Sequence, residues 1–555
     1  MLAVEVALRL AMPTLTTAAT GTATMRDLER PGRSPVMSTK GMAATSHPLS
    51  SQVAIDILKA GGNALDAAIA ACAMQCVVEP GSTGIGGDCF AMYAPGGRTK
   101  DLVCFNGSGR APAAATREKL EELGVTELIR TSPHSVIVPG AVDAWATLNR
   151  DHGKLPLADL LQPAIDAARN GYPITQRVHA DFGKNDAHLD SDENLKAIYK
   201  SDGNIPPLGS LHKNPKLGEA LAKIAVGGRD AFYTGDLAQE MVDTLQAKGG
   251  LHTMEDFANA KGTYETPIST EYKGKTILEC PPQGQGVIAL LMLNMASRTT
   301  LGNDLLAVDR IHTELEICRR GYASRGLYLA DPAKVDVPVG GLLSGDYAQQ
   351  LVDDIDPAKA QHPSDALQLK PHHDTVYITV VDEDRNVASF INTLFWGFGG
   401  GITTPEHGIV LTNRGEGFVL EEGHPNCIAP GKRPLHTIIP AMVAEGDRIT
   451  MGFGVMGGEY QAMGHLQFLS RVLHNGMDVQ EAQDWPRWMV DPFTGEVEIE
   501  SAVPDEVFEA LKARGHNIAR ATAPIGGSQA IAIDWNQGVL TGGSDPRKDG
   551  CAIGY

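Results

Sequence analysis

The stretch Pro371–Asp382, PHHDTVYITVVD, decides how the rest of the chain is read. A polar run ends at Asp374, and a strand pattern begins at once with Thr375. Its β-branched and aromatic residues suit a pleated surface. DEDR follows as a turn, and Asn386–Gly397, NVASFINTLFWG, repeats the pattern, so the two runs predict a β-hairpin. A threonine that opens a strand directly after a loop becomes an N-terminus if the bond before it is cut. Its free α-amino group then serves as base for its own hydroxyl. Cleavage between Asp374 and Thr375 would thus make Thr375 the nucleophile of an amide hydrolase. The plain alternative is a β-branched residue that only starts a strand. Upstream, Asp354–His373 carries three Pro, many charges and few large apolar residues, which marks an exposed loop suited to a cut. His372 and His373 read as solvated loop residues, because no further ligands stand at metal spacing.

The chain has 555 residues, room for two to four ordinary domains or fewer large α/β units. With 43% hydrophobic and 21% charged residues it can build a substantial core, which excludes a wholly disordered protein. A formal net charge of −20 argues against nucleic acid or an anionic membrane as partner, since both require basic patches. A local basic pocket for an acidic substrate is still compatible with it. Among eight Cys only Cys72 and Cys76 are close, four apart in an apolar helical run, and no CxxC occurs. Core packing therefore explains them better than a zinc site, and no cofactor is expected. Dispersed thiols fit a reducing compartment, so the cytoplasm is the expected location, with the periplasm or secretion as the alternative. The first 24 residues lack a basic segment ahead of their apolar run. They are read as a disordered extension, reaching to residue 40, or as a start upstream of Met25. No run of 18 apolar residues appears, and no membrane span is expected.

Along the chain, Gly41–Ser46 reads as a strand and turn. Two helices follow, Val53–Ala60 and Ala64–Val77, broken at Gly61–Gly62, with Asn63 capping the second. The second is apolar nearly all round and should be buried. Gly81–Asp88, GSTGIGGD, looks like a phosphate loop, yet it lacks the GxGxxG spacing and a following GKS or GKT. It also precedes a strand, Cys89–Tyr93, rather than a helix, so close backbone packing near a site is the better reading. From about 115 to 355 helical periods dominate, with strands at Ile268–Tyr272 and Lys275–Glu279. After Thr375 strands dominate: Ile402–Thr403, Ile409–Leu411, Ala441–Ala444, Ile449–Gly454, Val497–Ile499, Ala530–Asp534 and Val539–Gly542. The Gly457–Gly458 pair opens a helix running to about Leu473.

A threonine nucleophile needs a group that orients its hydroxyl and an oxyanion hole. The second hairpin strand offers Ser389, Asn392 and Thr393. The backbone N–H groups of Gly457 and Gly458, at a helix start, suit an oxyanion.

With these residues in place, the chain resembles the γ-glutamyltranspeptidase family of N-terminal-nucleophile hydrolases from about Gly41 to Tyr555. The likeness is carried by LKAGGNALDAA, GSTGIGGD, TVYITVVD, GKRPLHTIIP at 431–440, GVMGG at 454–458 and the closing SDPRKDGCAIGY. The resemblance implies an αββα four-layer sandwich, autocleaved before Thr375 into a large subunit, 41–374, and a small one, 375–555. The linker 354–374 would end the large subunit. It implies that Thr393 hydrogen-bonds the nucleophile and that Gly457 and Gly458 bind the oxyanion. Hydrolysis of γ-glutamyl or related acyl amides through an acyl-enzyme, or transfer to an amine, would follow, without metal or organic cofactor. The partners implied are a small-molecule amide and the two subunits of one precursor; a homo-oligomer stays open.

The departures from the family pattern concern substrate choice. The family's carboxylate-binding Arg falls at Ser108, with Arg110 two residues on as a substitute. Its Asn after the second Thr is Phe395, its α-amino-binding Asp is Gly417, and the nearby Gln is Arg414. Its paired Ser are His436 and Thr437, and the second Thr of its TT motif is Val376. Gly417 offers no side-chain acceptor to an α-ammonium, and Arg414 favours a carboxylate. The expected preference is therefore for amides of acids with a carboxylate and no free α-amino group, as in glutaryl-type cephalosporin acylases and oxamate amidohydrolase of the wider superfamily. A catalytically inactive binding homologue is the rival from another class.

Overall fold

The computed structural model describes residues 32–361 and 375–555. Two seven-stranded antiparallel sheets lie face to face. Edge to edge, the first sheet runs Cys551–Gly554, Met42–Thr45, Val376–Val381, Val387–Thr393, Asp88–Ala94, Val103–Gly107 and Thr263–Glu265. The second runs Val36–Ser38, Val539–Ser544, Gly527–Asp534, Arg448–Met456, Ala441–Glu445, Lys275–Glu279 and Ile268–Tyr272. Their inner faces share a core that includes Met42, Phe90, Met92, Tyr377, Ile391 and Met442. Helices Ala64–Val78, Ala141–His152, Leu157–Asn170 and Pro215–Tyr233 cover the first sheet. Gly286–Ala296, Val308–Tyr328 and Tyr460–Leu469 cover the second. This is the expected αββα sandwich.

Local chemistry sets these elements. Helix Ala64–Val78 is buried along its whole length, as its Ala-rich, unpatterned sequence requires. Asn63 and Asp66 form a reciprocal capping box at its start. Its first N–H also donates to Asp382 Oδ2 at 2.8 Å, which fastens the helix to the hairpin turn. The hairpin pairs Val376 with Asn392 through Val381 with Val387. Each sheet combines strands from both sides of Thr375: Val380 pairs with Ala43 in the first, and Ala441 with Glu279 in the second. A break before Thr375 would thus leave both pieces in one hydrogen-bonded structure.

Glycines let the sheets approach where the hairpin crosses the strand Arg448–Met456. A Cβ on Gly454 would sit 2.3 Å from the Tyr377 ring, and one on Gly452 would sit 2.6 Å from Thr379 Oγ1. Gly454→Ala is expected to cost about 1–3 kcal/mol of stability by overpacking. Urea unfolding, with Gly183→Ala as a control whose Cβ meets nothing within 4 Å, is the measurement.

Several expectations need correction. The arm before residue 40 is not wholly disordered, because Val36–Ser38 pairs as an edge strand with Leu540–Gly542. Ile402–Thr403 and Ile409–Leu411 form no strands; isolated bridges Thr403–Val410 and Leu411–Gly86 hold them instead. Val497–Ile499 joins neither large sheet but a separate three-stranded one with Trp488–Val490 and Ile518–Arg520. Within the helix-rich span 115–355, the helices Gln176–Lys184, Asp186–Leu189, Glu193–Tyr199 and Gly345–Asp353 do not announce themselves individually in the sequence. They are short, four to nine residues each, so an apolar helical period has little length in which to show. The helix after the Gly pair, Tyr460–Leu469, continues through a π turn, Ser470–His474, and so reaches Leu473 as expected. In the expected linker, Ala360 N donates to Arg514 O at 2.8 Å. His372, His373 and Asp374 lie outside the described residues.

Candidate active site

One end of the first sheet carries a row of polar residues in adjacent strands. Thr375 stands just before Val376, Thr393 ends the next strand, and Asp88, paired with Thr393, begins the one after. All three are buried. The two threonine hydroxyls are 3.4 Å apart. The Phe395 N–H donates to Thr393 Oγ1 at 2.9 Å and so orients that hydroxyl. Of the other hairpin candidates, Ser389 is bonded to Tyr377 at 2.7 Å, and Asn392 donates to Thr83 at 2.7 Å. Asn392 faces the opposite side of the sheet from Thr375, as alternate strand residues do, and Ser389 shares the Thr375 face but sits opposite Thr379, four residues along the strand.

The second sheet brings the glycine pair to the same end. Going down the hairpin strand from Thr379 to Tyr377, the facing residues are Gly452 and then Gly454. Two further steps put Thr375 opposite Met456 and the turn that follows it. Gly457 has φ +115° and Gly458 φ +56°, values that strain any side chain. A Cβ on Gly457 would also meet Gly526 Cα at 2.8 Å. Neither N–H of this pair donates to an acceptor among the described residues. They suit the negative oxygen of a tetrahedral intermediate.

Beyond Thr393 the row opens into a charged cluster. Asp88 Oδ1 accepts the Gly109 N–H at 2.8 Å, and Oδ2 faces His436 Nε2 at 3.2 Å. Ile438 N donates to His436 Nδ1 at 3.4 Å, which leaves the ring hydrogen on Nε2, toward Asp88. Arg414 is fully buried. Its guanidinium stacks 3.9 Å from the Phe395 ring centroid, Nη1 donates to Thr437 Oγ1 at 3.1 Å, and Nε lies 3.9 Å from Asp88. Arg414 Nε and Nη2 have no hydrogen-bond partner among the described residues. Phe395 is held at φ +82°, a strained value for an aromatic residue. The strain places its ring under the guanidinium.

Burial pushes the Asp88 carboxyl up to about 6, against the pull of Arg414 and of the Gly109 N–H. Burial lowers Arg414 to about 9, with Asp88 and Glu459 opposing, so it stays charged at neutral pH. Gly417 presents only backbone, with Leu435 O 3.3 Å from where a Cβ would lie. Arg110 turns elsewhere: Nη1 donates to Gly431 O at 3.1 Å and lies 3.7 Å from Asp331. It lines a groove of about 200 Å³ to which Thr375, Arg414 and His436 do not contribute.

Among the described residues, one group sets metal-type ligands together: His312, Glu316 and His516. Its members are bonded to protein: His312 to His516 at 2.9 Å, and Glu316 to Arg319 and Arg320. The group sits at the helix Val308–Tyr328, outside the threonine row.

A comparison with family models matches the description Gamma-glutamyltranspeptidase over residues 50–555. The chain belongs to the γ-glutamyltranspeptidase family. Its relatives include the glutathione hydrolase-like YwrD proenzyme of Bacillus subtilis, 36% identical over 94% of this chain and 99% of that one. The oxamate amidohydrolase proenzyme of Klebsiella pneumoniae is 32% identical over 94% and 99%. Among solved structures, a cephalosporin acylase from Bacillus halodurans superposes with a TM-score of 0.88 at 35% identity, covering 96% of this chain and 99% of that one.

As a γ-glutamyltranspeptidase-family enzyme, the protein is a hydrolase or acyltransferase of the N-terminal-nucleophile type. The structure brings Thr375, Thr393, Phe395, Arg414, His436 and Thr437 into one connected region and leaves Arg110 on another groove. Asp88 is the residue sequence reasoning passed over. Its signal was a lone acid closing a glycine-rich loop before an apolar strand, and only strand pairing shows that it faces Thr393.

Proposed function

We propose that this family member cleaves itself between Asp374 and Thr375 and then hydrolyses amides of acids that carry a second carboxylate and no free α-amino group. Thr375 Oγ1 attacks the amide carbon, and the Gly457 and Gly458 N–H groups receive the oxyanion. The C–N bond breaks, and the amine leaves with the proton that the Thr375 α-amino group took from the hydroxyl. Water then attacks the ester, releasing the acid and restoring Thr375. Thr393 holds the hydroxyl in line throughout.

The observation that carries the substrate class is Arg414. A buried guanidinium with two unsatisfied donor nitrogens favours a carboxylate. An α-ammonium would meet that cation, while Asp88 is already shared among Gly109, His436 and Arg414. The relatives named for oxamate and cephalosporin substrates support an acyl pocket without an amino-acid requirement. Glutaryl-4-nitroanilide and γ-glutamyl-4-nitroanilide differ only by the α-amino group and provide the test. An unpaired buried charge costs on the order of 2–5 kcal/mol, so kcat/KM should favour the glutaryl compound by about 30-fold or more. A clear preference for the γ-glutamyl compound would overturn this proposal.

A further inference from the structure

We infer that Gln285 is a positioning residue that clamps the Gly457–Gly458 turn to the acyl pocket and so aims the oxyanion donors; this rests on that turn being the oxyanion hole. Gln285 precedes the helix Gly286–Ala296 and is fully buried. Its Nε2 donates to Thr437 O at 2.9 Å and to Gly458 O at 3.1 Å. Its Oε1 accepts from Arg325 Nη1 at 2.9 Å. The two hydrogens of a planar amide diverge at a fixed angle, so one amide serves two carbonyls only when their separation is fixed.

The backbone strengthens the clamp on the pocket side. Gln285 N donates to His436 O and His436 N to Gln283 O, each at 3.0 Å. On the turn side, Arg325 also pairs with Glu459, the residue after Gly458, and Tyr322 donates to Glu459 O. Tyr460 N donates to Gly457 O at 3.0 Å. Because a trans peptide opposes its C=O and N–H, the Tyr460 bond to the Gly457 carbonyl sets where the Gly458 N–H points, and the Gln285 bond to the Gly458 carbonyl pins the next peptide, so the turn cannot swivel about Gly458. Gln285 touches no reacting atom; it acts through the turn.

Gln285→Met keeps the length and removes both donors. With rates normalised to the self-cleaved fraction, kcat for glutaryl-4-nitroanilide should fall about 10²-fold, the scale of a lost oxyanion donor. KM should move less than threefold. The inhibition constant of 4-boronobutanoate, which forms a tetrahedral adduct on a hydroxyl nucleophile, should rise with the fall in kcat, while that of glutarate stays put. Gln285→Glu retains the Arg325 contact and should show the same split, which guards against a folding defect in the Met variant. Unchanged kcat, or equal shifts for boronate and glutarate, would refute the inference. If the wild type ignores the glutaryl anilide, the acyl-class proposal fails, and the same split is read with γ-glutamyl-4-nitroanilide. Crystal structures of wild type and Gln285→Met decide without turnover: a rotated Gly458 peptide supports the clamp, and an unmoved one overturns it.

Discussion

Thr375→Ala is expected to give one full-length band on a denaturing gel, where the wild type gives two, and to lose about 10⁶-fold in turnover. The magnitude is that of deleting a nucleophile whose partners act as a unit. Two steps vanish together because one hydroxyl performs both. Thr375→Ser keeps a hydroxyl beside an amine-to-be and should still cleave, more slowly. The fold should survive in the Ala variant, since Thr375 only precedes the strand Val376–Val381, whose six residues are buried, all six paired on one edge and four on the other. Matching circular dichroism with a single band would show that chemistry was lost and not structure. An intact wild-type chain would sink the autoprocessing claim.

The second large effect is expected for Arg414→Met. Removing one partner of a buried charged cluster costs about 2–5 kcal/mol, so kcat/KM on glutaryl-4-nitroanilide should fall by about 30-fold to 10³-fold. The γ-glutamyl compound should lose far less, and selectivity should collapse. Stability should drop as well, in a pH-dependent way. Asp88 is already raised to about 6 by burial, and Arg414 is the main charge opposing that rise. A carboxyl raised in the folded state favours folding at low pH and loses that contribution as pH rises through its folded value. Without Arg414 the Asp88 value climbs further. The stability deficit of the variant should therefore be smaller at pH 5 than at pH 8, read by urea unfolding at both. A deficit that shrinks toward pH 8 would mean that Arg414 and Asp88 are not coupled as their 3.9 Å separation implies.

The hairpin was legible because its signal is local: two alternating runs around a four-residue turn fix a register, and the register puts Thr393 beside Thr375. The Asn63 cap and the buried Ala-rich helix were legible for the same reason. Strand partnership was not. Val497–Ile499 alternates like a member of the large sheets, yet pairs elsewhere. Val36–Ser38 sits in a polar arm with no alternation and is recruited only because the strand Val539–Ser544 presents an open edge. The candidate pocket divides likewise. Arg414, His436 and Phe395 stood out as departures from a family pattern, and Arg110 drew attention by proximity in sequence. Proximity says nothing about side-chain direction, and its guanidinium lies with Asp331.

The sequence by itself determined the nucleophile candidate, its hairpin partner and the glycine turn, because each depends on residues close along the chain or on glycines whose backbone freedom is written in their identity. Only the tertiary structure decided which charges meet. Asp88, Gln285 and Arg325 reach the site from segments far from Thr375 in the chain, through cross-strand pairing and the stacking of two sheets. Burial then gives those meetings their energy, since a charge or amide removed from water must be answered by whatever neighbour the fold supplies.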